Sequence, residues 1–258
     1  MRYFTFLRAA LITLSCLAAW EPVGAAEILF YVDGVAGNAP TRAGDIVIRD
    51  RLIALGHNVT TVNDSAGTIT DVIGKSLIII SSSIQSGDLA TFATTSLRTL
   101  ALPILDYESA LYDELLMGAS GTNPTGLSTL NITLPAHALA AALTGAPAVY
   151  TGANVMSVGV TGTLGTDATI VATIASGEPA IFTYGTGNRL SDNTTIAAAR
   201  RIGFYLNEPA ATAFTADGLK LFDSAVNYAL VPEPGSAFIM AAAFLCVAGS
   251  RRSRNWRV

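Results

Sequence analysis

SLIIIS, residues 76–81, decides how the rest of the chain is read. A continuous apolar run between two serines is the pattern of a strand at the centre of a sheet, buried on both faces. Upstream, EILFYV at 27–32 has the same character and stops at Asp33-Gly34. After the Gly- and Pro-bearing loop GVAGNAPTRAG, the segment DIVIRDRLIALGH (45–57) sets Ile46, Ile48, Leu52, Ile53 and Leu55 near helical spacing. Gly56 stands where a C-cap would. NVTTV at 58–62 is β-branched and strand-like, and ALPIL at 101–105 follows a short helix. Strand, helix, strand at this spacing implies a parallel sheet with right-handed crossovers, hence an α/β domain of three layers.

Beyond Gly118 the pattern loosens. GASGTNPTGLS (118–128) is loop-like, LNITL (130–134) reads as a strand and HALAAAL (137–143) as a short helix. VYTG, NVMSVGV, ATIVATIA and PAIFTYG, between residues 149 and 185, read as strands that extend the sheet, antiparallel ones among them. RIGFYL (201–206) is a last strand, and a helix over 216–230 puts Leu219, Phe222, Val226 and Leu230 on one face. No internal repeat or linker interrupts residues 27–230, so one body domain is expected there.

Both ends are addresses rather than fold. Residues 1–26 carry Arg2 and Arg8, the apolar run ALITLSCLAAW and then the small residues Val23, Gly24, Ala25 and Ala26. That order is a secretory signal peptide, cut after Ala26. Lipidation of Cys16 would need an aliphatic residue three places earlier, where Thr13 stands. At the other end come Val231-Pro232-Glu233-Pro234-Gly235, an apolar run over 236–249, and then Arg251, Arg252, Arg254 and Arg257. Fourteen residues of helix cover ~21 Å, less than the ~30 Å hydrocarbon core, so a span there needs bilayer thinning or snorkelling arginines. The arginines would stay cytoplasmic and the body outside. A plain anchor would show the same apolar run and basic end. The tripeptide, span and basic cluster in this order resemble the PEP-CTERM sorting signal of Gram-negative bacteria that make extracellular polysaccharide. The resemblance implies that an exosortase, a membrane transpeptidase-like enzyme, recognises Pro232, Glu233 and Pro234, with Arg251, Arg252 and Arg254 as the membrane stop.

Between the ends the chemistry is sparse. Residues 27–232 hold nine Lys or Arg against seventeen Asp or Glu, a net charge of −8, which disfavours nucleic acid. The two cysteines, Cys16 and Cys246, lie in the terminal segments, so the body has no disulfide, thiol nucleophile or cysteine metal ligand. ILFYVDG, DRLIALGHNVTTVND, LIIISSSI, LPILDYESALYDELLMG and the closing FTADGLKLFDSAVNYAL resemble a domain of secreted bacterial proteins similar to the class I glutamine amidotransferase-like and ThuA-like group. That resemblance implies a flavodoxin-like sheet.

In strand order 2-1-3-4-5, a ligand crevice opens beyond the carboxyl ends of the first and third strands. Asp33 would line one side and Ser81, Ser82 and Ser83 the other, with Asp106, Tyr107 and Glu108 one strand over. Carboxylates and hydroxyls there could hold a sugar or a hydrated cation; equally, Asp33 can cap a turn and the serines a helix. Cysteine amidotransferase chemistry is excluded, and no G-x-S-x-G elbow offers a serine in its place. His57 reads as an exposed turn residue. His137, at a helix start, is a general base only if a carboxylate orients it. GVAGNAP matches no phosphate-binding loop, no metal-ligand spacing occurs, and Arg200-Arg201 reads as a solvated helix end. No cofactor is implied. The expectation is an exported cell-surface or matrix protein whose body is structural or glycan-binding, with an exosortase, the inner membrane and an exopolysaccharide as partners. The alternative is a hydrolase of sugars or their derivatives using Asp33, Asp106, Glu108 or His137.

Overall fold

The computed structural model describes residues 24–232. The leader up to residue 23, Glu233 and Pro234 of the sorting motif, the apolar run and Arg251, Arg252 and Arg254 lie outside the described residues. Within the described residues no helix is long and apolar enough to cross a membrane. The elements follow in order as β1 (Glu27–Val32), β2 (Val35–Ala36), β3 (Ala39–Pro40), α1 (Ala43–Ala54), β4 (Asn58–Asn63), β5 (Leu77–Ile80), α2 (Ser86–Thr95), β6 (Ile104–Asp106), β7 (Asn131–Ile132), β8 (Thr169–Thr173), β9 (Pro179–Tyr184), β10 (Arg201–Phe204) and α3 (Ala216–Leu230).

One sheet has the order β4-β1-β5-β6-β10-β9-β8-β7, and β2 and β3 form a small ribbon beside it. The first five strands in that order are parallel, whereas β9, β8 and β7 add on antiparallel. The sheet is thus mostly parallel, flavodoxin-like in its parallel half, and extended by antiparallel strands, as the alternation of elements predicts. All four residues of β5 are buried, with Ile78 paired to Leu29 of β1 and to Ile104 of β6. Successive side chains feed opposite faces. Leu77, Ile79, Phe30 and Leu105 meet Ile48 and Leu52 of α1 and Phe222 and Val226 of α3. Ile78, Ile80, Leu29 and Ile104 meet Leu89 and Ala93 of α2. Full burial of each such side chain contributes about 1.5–3 kcal/mol, which explains the continuous apolar runs.

Several local expectations are corrected. In α3 the buried stripe is Leu221, Phe222, Ala225, Val226 and Ala229, while Leu219 and Leu230 are only half-buried. The small residues Ala225 and Ala229 let the helix sit close to the sheet. Residues 149–152 and 154–160 form isolated bridges, Tyr150 to Phe214, Asn154 to Leu127 and Val158 to Thr122, rather than strands. The expected helix at 137–143 is a single 3-10 turn, Ala138–Ala140, because Ala141 and Ala142 adopt φ of 51° and 58° and end it. The outer edge of β4 is covered by one side chain. Asn38 accepts from the Thr61 N–H at 2.8 Å and donates to the Val59 carbonyl at 3.3 Å, occupying the groups that a foreign strand would use.

The Arg200-Arg201 pair is not a solvated helix end; both residues are buried. Arg201 opens β10 at 0% exposure, and its guanidinium donates to the carbonyls of Leu97, Arg98, Leu100, Leu102, Ala199 and Arg200 at 2.7–3.3 Å. The turn leading from α2 into β6 points its carbonyls inward, and the N–H groups of Nη1 and Nη2, held in one plane, reach them together, while the buried Nε makes no hydrogen bond. Burial pushes its pKa down to about 10, so the cation persists at neutral pH.

Candidate functional site

At the carboxyl ends of β1 and β5 the polar side chains converge on one another. The Ser83 hydroxyl accepts from the Asp33 N–H at 3.0 Å, and the Ser81 hydroxyl accepts from the Ser83 N–H at 3.0 Å. Ser81 in turn donates to Asp45 Oδ1 at 2.6 Å, and Ser82 accepts from the Glu208 N–H at 2.6 Å. Asp33 pairs with Arg42, which immediately precedes α1. Asp45 lies in the first turn of α1, and Glu208 opens the 3-10 turn Glu208–Ala213 after β10. The Glu208 carboxylate accepts from the Gly44 N–H at 2.7 Å, satisfying one of the amides that a helix start leaves open. The serines therefore do not cap α2. They weld β5 to β1, to α1 and to the chain after β10.

The close approach of the Glu208 backbone explains Gly44. A Cβ built there would lie 1.8 Å from the Glu208 carbonyl oxygen. Gly44→Ala is expected to cost about 1–3 kcal/mol through overpacking, read as a lowered urea midpoint. An unchanged midpoint would mean that this junction yields freely.

Asp45 is fully buried and its Oδ2 has no hydrogen-bond partner. Burial pushes its carboxyl up to about 6; hydrogen bonds from Ser81 and Ser83 work against that shift, as does Arg42, while the Glu208 charge adds to it. Tyr107 is also fully buried, and its hydroxyl makes no hydrogen bond of regular geometry although it faces Ser81. Burial, and then the Asp45 charge, raise it well above the usual tyrosine range. Arg42 is raised by its bond to Asp33. The result is a closed acid–hydroxyl cluster.

Asp106 and Glu108 belong to the opposite face. Ile104 faces α2, Leu105 and Tyr107 face α1 and α3, and Asp106, alternating, lies with Ile104. Asp106 Oδ1 accepts from the Glu108 N–H at 2.9 Å, and Glu108 Oε1 accepts from the Ala110 N–H at 2.9 Å, so each shapes the turn after β6. Burial raises Asp106 well above the carboxylate range and pushes Glu108 up to about 7. His137 sits at the other end of the sheet. Its Nδ1 accepts from the Leu139 N–H at 3.1 Å, and its ring packs on Tyr228, in the last turn of α3, at 5.1 Å. The structure therefore brings Asp33 together with Ser81, Ser82 and Ser83, places Asp106 and Glu108 side by side across the sheet, and keeps His137 apart from all of them. His57 is buried rather than exposed, accepts from the Ala26 N–H at 3.3 Å, and is lowered by burial. Burial also lowers His137, with a smaller effect from the Arg200 charge. Asp45, Arg42 and Glu208 escaped sequence reasoning; the signal was a glycine inside the first turn of a helix, beside an acid with no visible partner. Among the described residues no three His, Cys, Asp or Glu side chains are grouped to hold a metal.

No protein-family model and no curated protein matches the chain. Among solved structures, the crystal structure of a protein described as ThuA-like from Bacteroides uniformis aligns with a TM-score of 0.54 at 9% identity. The alignment covers 85% of this chain and 97% of that one. The two share a fold. A second crystal structure, of SMU.1228c, aligns with a TM-score of 0.48 at 10% identity over 80% of this chain and 100% of that one.

Proposed function

We propose that this is an exported cell-surface or extracellular-matrix protein, sorted through its C-terminal segment by an exosortase-type enzyme, with a non-catalytic body in a structural or glycan-binding role. One observation supports a body without catalytic machinery. Where this fold class opens its ligand crevice, Ser81, Ser82, Ser83, Asp33 and Glu208 are engaged with one another, with Arg42 and with backbone amides. The order Pro232-Glu233-Pro234, apolar run, arginines supports the sorting half. Intact-mass measurement on the protein from its native envelope and medium tests it: the expected chain starts at Glu27 and ends near Pro232 to Gly235. A chain that still ends at Val258 would leave only an anchor. Calorimetric titration with the host's polysaccharide tests the glycan role, which a flat isotherm removes.

The second reading, a hydrolase of sugars or their derivatives, is favoured by Glu108 alone, a carboxyl pushed up to about 7 beside buried Asp106. Such a group can donate a proton at neutral pH. Sugar release that disappears in Glu108→Gln would establish it.

A further inference from the structure

We propose that, while the chain is still joined to its C-terminal segment, the rim of the sheet at the amino ends of the parallel strands faces the bilayer. This rests on the sorting reading only in requiring residues 236–249 to be membrane-held.

The exit of the chain from the body is fixed. α3 ends at Leu230, and Val231 turns extended with its N–H bonded to the Asn227 carbonyl at 3.0 Å. Arg200, the residue before β10, donates from Nη1 to the Val231 carbonyl at 2.5 Å and to the Tyr228 carbonyl. Its guanidinium also lies over the Tyr228 ring, 4.1 Å from the centroid. Beside this exit is a cleft of about 250 Å³, lined by Ser76 and Pro103 as well as Arg200 and Pro232. Ser76, Pro103 and Arg200 directly precede β5, β6 and β10, so the exit lies on the amino-end rim.

The apolar run begins at Ser236, four residues after Pro232. Whatever path they take, four residues reach at most ~14 Å. A domain of this size has a radius of gyration of roughly 17 Å, so a tether that short holds the rim around the exit against the membrane and leaves the opposite end out of reach. Ile73, three residues before Ser76, whose N–H bonds the Glu27 carbonyl, and Ile53, the last but one residue of α1 before β4, stand at this end of the fold with 74% and 52% exposure. Ile73 lies close in sequence to Lys75, whose Nζ bonds the Thr60 hydroxyl at 2.6 Å. Exposed isoleucines beside a cation suit a headgroup layer. Glu27 opens β1 on this rim too, and the body is acidic, so the contact depends on the tether and the apolar side chains rather than on net charge.

The test uses the chain without its leader, residues 27–258, with Cys246 replaced by serine, in phosphatidylethanolamine–phosphatidylglycerol vesicles carrying a headgroup nitroxide. A fluorophore is placed through Ile73→Cys on the proposed rim or through Ala36→Cys in the ribbon at the opposite end. Quenching at residue 73 with none at residue 36 is expected, and inserting about ten Gly and Ser residues after Pro232 should erase the contrast by lengthening the tether. Equal quenching at both positions, or a contrast that survives the insertion, overturns the proposal. A chain that does not co-sediment with the vesicles overturns the membrane-held reading beneath it instead.

Discussion

Arg201→Met is expected to remove about 3–5 kcal/mol of stability, the scale for leaving several buried carbonyls without their donor. Methionine fills much of the volume but donates nothing, so the carbonyls of Arg98, Leu100, Leu102 and Ala199 lose this donor, while those of Leu97 and Arg200 keep their bonds from the Leu100 and Ile104 N–H groups. Each carbonyl left dry costs on the order of 1–3 kcal/mol, and local relaxation or water entry keeps the total below their sum. A domain of this kind has only about 5–15 kcal/mol in hand, so the loss is a large fraction of the whole. Urea unfolding should show a lower midpoint with an unchanged slope. Arg201→Lys keeps the charge but offers three donors from one point instead of a planar fork, and should recover only part of the difference. If the methionine variant unfolds at the wild-type midpoint, the six-carbonyl hub is not what holds the α2–β6 turn to β10.

The parallel half of the fold was legible because strands buried on both faces must be apolar throughout. SLIIIS and EILFYV leave no other reading, and Gly56 marks the turn between α1 and β4. Residues 149–160 misled because they carry β-branched and apolar side chains that are buried but find only isolated bridging partners; burial alone makes that composition. Arg201 misled for the opposite reason. A basic pair is solvated by default, and only the three-dimensional path of residues 97–102 supplies the carbonyls that overturn the default. The cluster around Asp45 shows the same limit, since Gly44 and Glu208 meet across 164 positions of sequence. Asp33 and the serines could be placed from the strand order alone, whereas Asp106 and Glu108 required knowing which residue of a three-residue strand faces which layer.

Acidification from pH 7.5 toward 5 is expected to stabilise the fold through Asp45 and Glu108. Both carboxyls are raised by burial, Asp45 to about 6 and Glu108 to about 7. A raised folded value means that the native state holds a proton which the unfolded chain has released. The contribution is therefore complete below the unfolded values of 3.8 and 4.5 and is lost as pH climbs through 6 and 7. At ~1.4 kcal/mol per unit, each group carries on the order of 3 kcal/mol, of which the pair delivers about 2–4 kcal/mol between pH 7.5 and 5. His57 and His137 act in the opposite sense. Their folded values are lowered, so the unfolded chain takes up protons first as pH falls, and this offsets part of the gain. Asp106, also raised by burial, acts in the same sense in both proteins, and the share of Asp45 and Glu108 is isolated by the double variant Asp45→Asn, Glu108→Gln, whose amides stay neutral and still accept from Ser81 and from the Ala110 N–H. Its unfolding free energy should exceed that of the wild type at pH 7.5 and by a smaller margin at pH 5, the two converging only below the unfolded values of 3.8 and 4.5. Parallel pH profiles for the two proteins would show that neither carboxyl is held protonated by its burial.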